Sequence, residues 1–189
     1  IDALTLSVAE TRPGKKVRIL EARLAHAGTE LVRATALCIR QADVALELPA
    51  DVPPEPAMPP PEACPETVFA FFTAAVGYHT SMELRIGEGG IGHGHAAAWL
   101  RMRHPLVPGE APSPLQRLAI AADSGNGVAS ALDHDRYLFI NPDFTVYVHR
   151  LPEGEHVGLR ARTLVEPNGV GIADDRMYDR RGPIARAVQ

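Results

Sequence analysis

Polar and apolar positions alternate through Lys15–Arg40, KKVRILEARLAHAGTELVRATALCIR, in two runs parted by Ala-Gly-Thr, and this predicts a β-hairpin. In the second run Leu31, Arg33, Thr35, Leu37 and Ile39 share one face, while Val32, Ala34, Ala36 and Cys38 share the other. A hairpin cannot bury an apolar side alone, so it needs a larger partner. The proline-dense stretch LPADVPPEPAMPPPEACPE then blocks helix and central strand and favours an extended linker or surface strap. After Thr67 the order changes. SMELRIG and HAAAWLRMRHPL read as strands around a Gly-rich hairpin loop, GEGGIGHG. A helix follows, with Ser113 as N-cap, Pro114 in the first turn and Gln116 completing a capping box. Run to Ala131, it would span ~27 Å. Four more strands are expected in YLFINPDFTVYVHRL, HVGLRARTLVE, GVGIADDRMYD and PIARAVQ. The order β-β-α-β-β-β-β places one helix against one antiparallel sheet, an α+β arrangement.

The helix carries an anomaly in LAIAADSGNGVASAL, residues 118–132. Gly125 and Gly127 each cost about 1 kcal/mol against Ala inside a helix, so some other demand keeps them small. A sheet wrapped closely against the helix backbone would supply that demand. Asp123 would then lie at a helix-sheet boundary, partly desolvated, where a carboxylate gains the raised pKa of a useful general base. The competing reading ends the helix at Ala122 and lets Asp123 make an Asx-turn into a Ser-Gly-Asn-Gly loop.

Composition narrows the function classes. With 189 residues and 46% hydrophobic content the chain can bury a core. Its net charge of −4 and scattered basic residues offer no cationic face to a phosphate backbone, so no nucleic-acid partner is expected. The longest apolar run, TVFAFFTAAVGY, is too short for a membrane span, and no signal pattern opens the chain, which points to the cytoplasm. Cys38 and Cys64 show neither metal spacing nor a disulfide framework and read as free thiols.

Other candidate chemistry is weaker. His93 and His95 in GHGH have the spacing of a metal pair but lack a third ligand, so no metal is expected. His79 and His149 read as rim residues. Phe69, Phe71, Phe72 and Trp99 read as packing, although the phenylalanines have the density of a cavity lining. Ser124 does not lie in a G-x-S-x-G elbow.

Taken together, MELRI, AAAWLRMRHPLVPGEAPSPLQRLAIAADSGNG, YLFINPDFTVYVHRLPEGEHVGLRARTLVEPNGVGIA and YDRRGPIARAVQ resemble the acyl-CoA thioesterase II-like (TesB-type) proteins of the thioesterase superfamily. The resemblance covers nearly all of residues 67–189 and, more weakly, the early hairpin. It implies a double hotdog fold, in which an antiparallel sheet wraps a long central helix. Residues 1–49 would be the C-terminal strands of an incomplete N-terminal hotdog, residues 50–66 a linker, and residues 67–189 the C-terminal hotdog. It also implies an Asp, Thr and Gln triad that holds a water against a thioester carbonyl. The Asp falls on Asp123 and the Gln on Gln189, but the Thr position holds Asn141 in FINPDFTV. Asn offers a donor and an acceptor where Thr has one hydroxyl. No cofactor is implied, and pairing into a homo-oligomer, a dimer in the simplest case, is expected. The functional expectation is an acyl-CoA thioesterase of lipid metabolism, with a catalytically silent acyl- or CoA-binding module as the alternative. The D-x-N-P-x-H pattern of a hotdog hydratase is absent.

Overall fold

A computed structural model describes residues 3–69 and 71–189. The described chain divides into two units, one ending at Pro53 and one beginning at Pro54.

The first unit is a three-stranded antiparallel sheet of β1 (Thr5–Arg12), β2 (Val17–His26) and β3 (Thr29–Ile39), in the order β1-β2-β3. The expected hairpin is β2–β3, and its turn is made by Ala27 and Gly28, both at positive φ. The alternation noted in β3 leaves Leu31, Val32, Leu37 and Ile39 exposed on both faces. Arg23 and Arg33 pair with Glu30 on this sheet.

The second unit holds a seven-stranded sheet built from β4 (Glu66–Thr67), β5 (Met82–Gly90), β6 (His95–Met102), β7 (Thr145–Val148), β8 (His156–Val165), β9 (Gly171–Asp179) and β10 (Gly182–Val188). Its order is β4-β5-β6-β8-β9-β10-β7, with every neighbour antiparallel. Three short helices accompany it: α1 (Tyr78–Ser81), α2 (Pro114–Ala122) and α3 (Gly125–Val128). The capping box forms as expected, with Gln116 N–H donating to Ser113 Oγ at 3.2 Å and Ser113 N–H donating to Gln116 Oε1 at 2.7 Å. The core lies between α2–α3 and one face of the sheet, where Leu118, Ala121, Ala122 and Val128 pack against Leu84, Ala98, Leu100, Leu159, Met177 and Ile184. Small residues dominate the helix side, which brings the backbones close.

Three sequence expectations change here. The helix does not run unbroken from Pro114 to Ala131. Ser124 N–H bonds Ala121 O at 3.0 Å, three residues back, and the chain then restarts as α3. The two glycines also differ. A Cβ on Gly125 would lie 1.7 Å from Asp175 Oδ2, so close approach requires that glycine. A Cβ on Gly127 would make ordinary contact with Phe69 and Phe71, so close approach does not require the second one. Finally, the strand expected from Tyr137 begins only at Thr145. Pro142 has no N–H for a ladder and the Asn141 side chain is held elsewhere, so residues 137–144 cross as a loop.

The opposite face of the sheet lies under the proline-rich segment. Trp99 Nε1 donates to Pro59 O at 2.7 Å, Arg160 donates to Ala57 O at 2.6 Å, and Arg176 and Arg180 pair with Glu55 and Glu62. The thiol of Cys64 is buried beside Trp99 and Tyr178, and neither cysteine forms a disulfide. Buried Glu83 accepts from Arg85 Nε at 2.5 Å and from Arg101 Nε at 3.0 Å. Burial alone would raise its pKa, but the two guanidinium groups outweigh that and hold it at about 2.

Candidate functional site

Asp123 occupies the break between α2 and α3, in right-handed helical conformation with φ −73° and ψ −5°. The break aims its side chain away from the α2 stripe and toward the last strand and the 137–144 loop. Two amides converge there on one oxygen. Asn141 Nδ2 donates to Asp123 Oδ1 at 3.2 Å, and Gln189 Nε2 donates to the same oxygen at 3.1 Å. The three residues that the resemblance singled out, 48 to 66 positions apart in two cases, therefore form one cluster. Gln189 follows β10, where its backbone exchanges hydrogen bonds with Ala173 at 3.0 and 3.1 Å. Its side chain is buried, and Oε1 has no partner among the described residues.

Asp123 presents one side to solvent, while protein backs the other. Burial of that side raises the carboxyl pKa above its ordinary value, and the Asn141 hydrogen bond opposes the rise. No cation pairs with it among the described residues. A carboxylate so placed is more basic than a free one.

Asp123 also forms part of the wall of a groove of about 620 Å³ whose other walls are chiefly apolar: Tyr78, Met82, Met102, Leu106 and Ile120. A second cavity of about 320 Å³ lies beside α3, lined by Phe71, Phe139, Asn126 and Thr163 among others. Phe69 belongs to the core, whereas Phe72 is exposed, so the phenylalanine cluster divides between packing and cavity wall.

Two residues near the site had no clear signal in the sequence. Tyr78 Oη donates to Ile120 O at 3.0 Å and lies 2.5 Å from Ser124 Oγ. Asp175, on β9, is fully buried against Gly125, and neither carboxyl oxygen has a hydrogen-bond partner among the described residues. Burial, helped by the charge of Asp174, pushes its pKa up to about 8. Only the small Gly125 hinted at Asp175, because close approach to something was required there. The rings of His93 and His95 lie 6.3 Å apart, and no group of three metal-capable side chains occurs among the described residues. No helix among them is long and apolar enough to cross a membrane.

An antiparallel sheet packed on a short helical stack thus carries a carboxylate and two amides at the helix break, beside an apolar groove. The profile of the acyl-CoA thioesterase C-terminal domain matches residues 49–189, and the chain belongs to that family. By that membership it is a thioester hydrolase. Solved structures agree on the fold. A hot dog fold protein from Alicyclobacillus acidocaldarius superposes with a TM-score of 0.65 at 17% identity, covering 98% of this chain and 70% of that one. The tesB protein of Mycobacterium avium subspecies paratuberculosis gives 0.67 at 14% identity, covering 98% and 69%. An acyl-CoA thioesterase II from Mycobacterium marinum gives 0.62 at 16%, covering 98% and 71%. No curated protein matches the sequence.

Proposed function

We propose that the protein hydrolyses the thioester of an acyl-CoA to a free acid and CoA, with Asp123 as general base for an attacking water. The observation that carries this reading is the convergence of Asn141 Nδ2 and Gln189 Nε2 on Asp123 Oδ1, at 3.2 and 3.1 Å. Each amide has two N–H donors, so one fixes the carboxylate and the second is free for the thioester carbonyl oxygen. The unpartnered Gln189 Oε1 accepts a hydrogen bond from the water. Asp123 takes one proton from that water as its oxygen bonds the carbonyl carbon. The C–S bond then breaks, the thiolate leaves, and the proton on Asp123 passes to the sulfur or to solvent. No covalent enzyme intermediate is needed. Thiolate leaves readily, so the work of the site is positioning the water and stabilising the oxyanion. Asn141 replaces the hydroxyl of the resembled triad with an amide that does both jobs. The acyl chain lies in the apolar groove whose wall includes Asp123.

The same reading assigns residues 1–49 to a first hotdog and residues 67–189 to a second, joined through residues 50–66, in a cytoplasmic homodimer. The exposed apolar positions of β3 support a further packing partner for the first sheet.

Free-thiol release from short, long and aromatic acyl-CoAs tests the proposal. Release by the unaltered protein and its loss in Asp123→Ala supports water activation and identifies the acyl class. Binding of acyl-CoA in a thermal-shift assay without any release would replace hydrolysis with acyl-CoA capture.

A further inference from the structure

The helix break that presents Asp123 leaves a backbone acceptor unfilled. In an unbroken helix Ile120 O would receive the N–H of Ser124, four residues on. Here that N–H goes to Ala121 O at 3.0 Å, so Ile120 O loses its helical donor. Tyr78, from the separate α1 turn, fills the vacancy. Its hydroxyl donates to Ile120 O at 3.0 Å and lies 2.5 Å from the hydroxyl of Ser124, which is buried. One hydroxyl thus joins the residues on either side of the break, with Asp123 between them. The ring is held in turn by Phe69, whose centroid lies 5.8 Å away, and it forms a wall of the same groove as Asp123.

We propose that Tyr78 is a positioning residue for Asp123: its hydroxyl clamps Ile120 and Ser124, fixes the turn between them, and so sets the direction and desolvation of the Asp123 carboxylate. This rests on the reading of Asp123 as the general base. The clamp is a neutral hydroxyl at working pH, because burial, together with the nearby Asp123 charge, pushes the phenol up to about 12. The groups that face Asp123 are therefore two neutral amides and this phenol, with His104 the other titratable side chain along the groove. Without the clamp the turn is free to relax and water reaches the protein-backed side of the carboxylate as well.

Tyr78→Phe keeps the ring in the groove wall and removes only the oxygen. Acyl-CoA hydrolysis by this variant should show kcat lowered by about 10- to 100-fold with KM little changed, as expected for a displaced reacting group. The acid limb of its pH–kcat/KM profile should move down toward the ordinary carboxylate range. Ser124→Ala should shift both in the same direction by less. A loss of thermal stability in Tyr78→Phe with kcat and the acid limb unchanged would make Tyr78 a packing residue and overturn the proposal. An Asp123→Asn control separates the two ideas: full activity there would sink the general-base reading itself, whatever Tyr78 does.

Discussion

The two sides of the second unit treat carboxylates shielded by protein in opposite ways. On the strap-covered face Glu83 is enclosed by Arg85 and Arg101, and at the end of β9 Asp179 is gripped by Arg150 through bonds of 2.5 and 2.8 Å and by the N–H groups of Glu153 and Arg181. Burial would raise both pKa values, but the donors win and hold each at about 2. On the helix-facing side Asp123 and Asp175 meet amides, glycine and apolar walls, with no cation among the described residues, and both are raised. The paired carboxylates are locked in the charged form and serve as struts. The unpaired ones keep their proton affinity, which is what proton transfer requires. Locking costs reactivity, and reactivity costs stability.

The largest pH-dependent effect should come from Asp175. Its folded pKa of about 8 lies above the ordinary value of 3.8. The folded state then holds a proton that the unfolded chain has released, so the contribution of Asp175 to stability is fullest below about pH 4 and is lost as pH rises toward about 8. The slope is at most about 1.4 kcal/mol per pH unit. Asp175→Asn should flatten that slope and stabilise the protein by roughly 2–4 kcal/mol at pH 7, read by chemical denaturation at several pH values. An unchanged slope would show that another group titrates.

Asp179→Ala probes the strut side. It strands Arg150 and two backbone N–H groups, and removal of one partner from a buried ion pair costs about 3 kcal/mol or more. Denaturation midpoints at pH 7 check it, and the opposite signs of the two aspartate variants would establish the contrast. Smaller still, Trp99→Phe loses the 2.7 Å bond to Pro59 O that ties the strap to the sheet. A cost of about 1–2 kcal/mol is expected, with thioester hydrolysis unchanged.

These features were unequally legible in the sequence. Strict alternation marked β2 and β3, and the core strands β5, β6 and β8–β10 were framed by Gly, Pro and Asn turns, so a sheet with a helix across it could be read directly. Ser113-Pro114-x-Gln116 announced the start of α2 because a cap is a local event. Its end was not local: the break depends on Tyr78, 42 residues from Ile120, and on Asp175, whose carboxyl fills the space beside Gly125. The loop at 137–144 imitated a strand for the same reason, since its alternation is used for cavity lining at Phe139 and for Asn141 rather than for a ladder. Asp123, Asn141 and Gln189 were singled out together only through the family resemblance. No spacing rule links a helix end, a loop and a strand end.

The central claim is that Asp123, raised by burial and held by two amides, accepts the proton of the attacking water. The pH dependence of kcat/KM for acyl-CoA hydrolysis, measured on the unaltered protein and on Asp123→Asn, tests it most directly. The account predicts a rise in activity with pH through one ionisation above the ordinary carboxylate value. In Asp123→Asn that limb should be gone and the rate lower by about 100-fold or more, with the thermal midpoint little changed. The same limb and a comparable rate in the variant would contradict the account and place the base elsewhere.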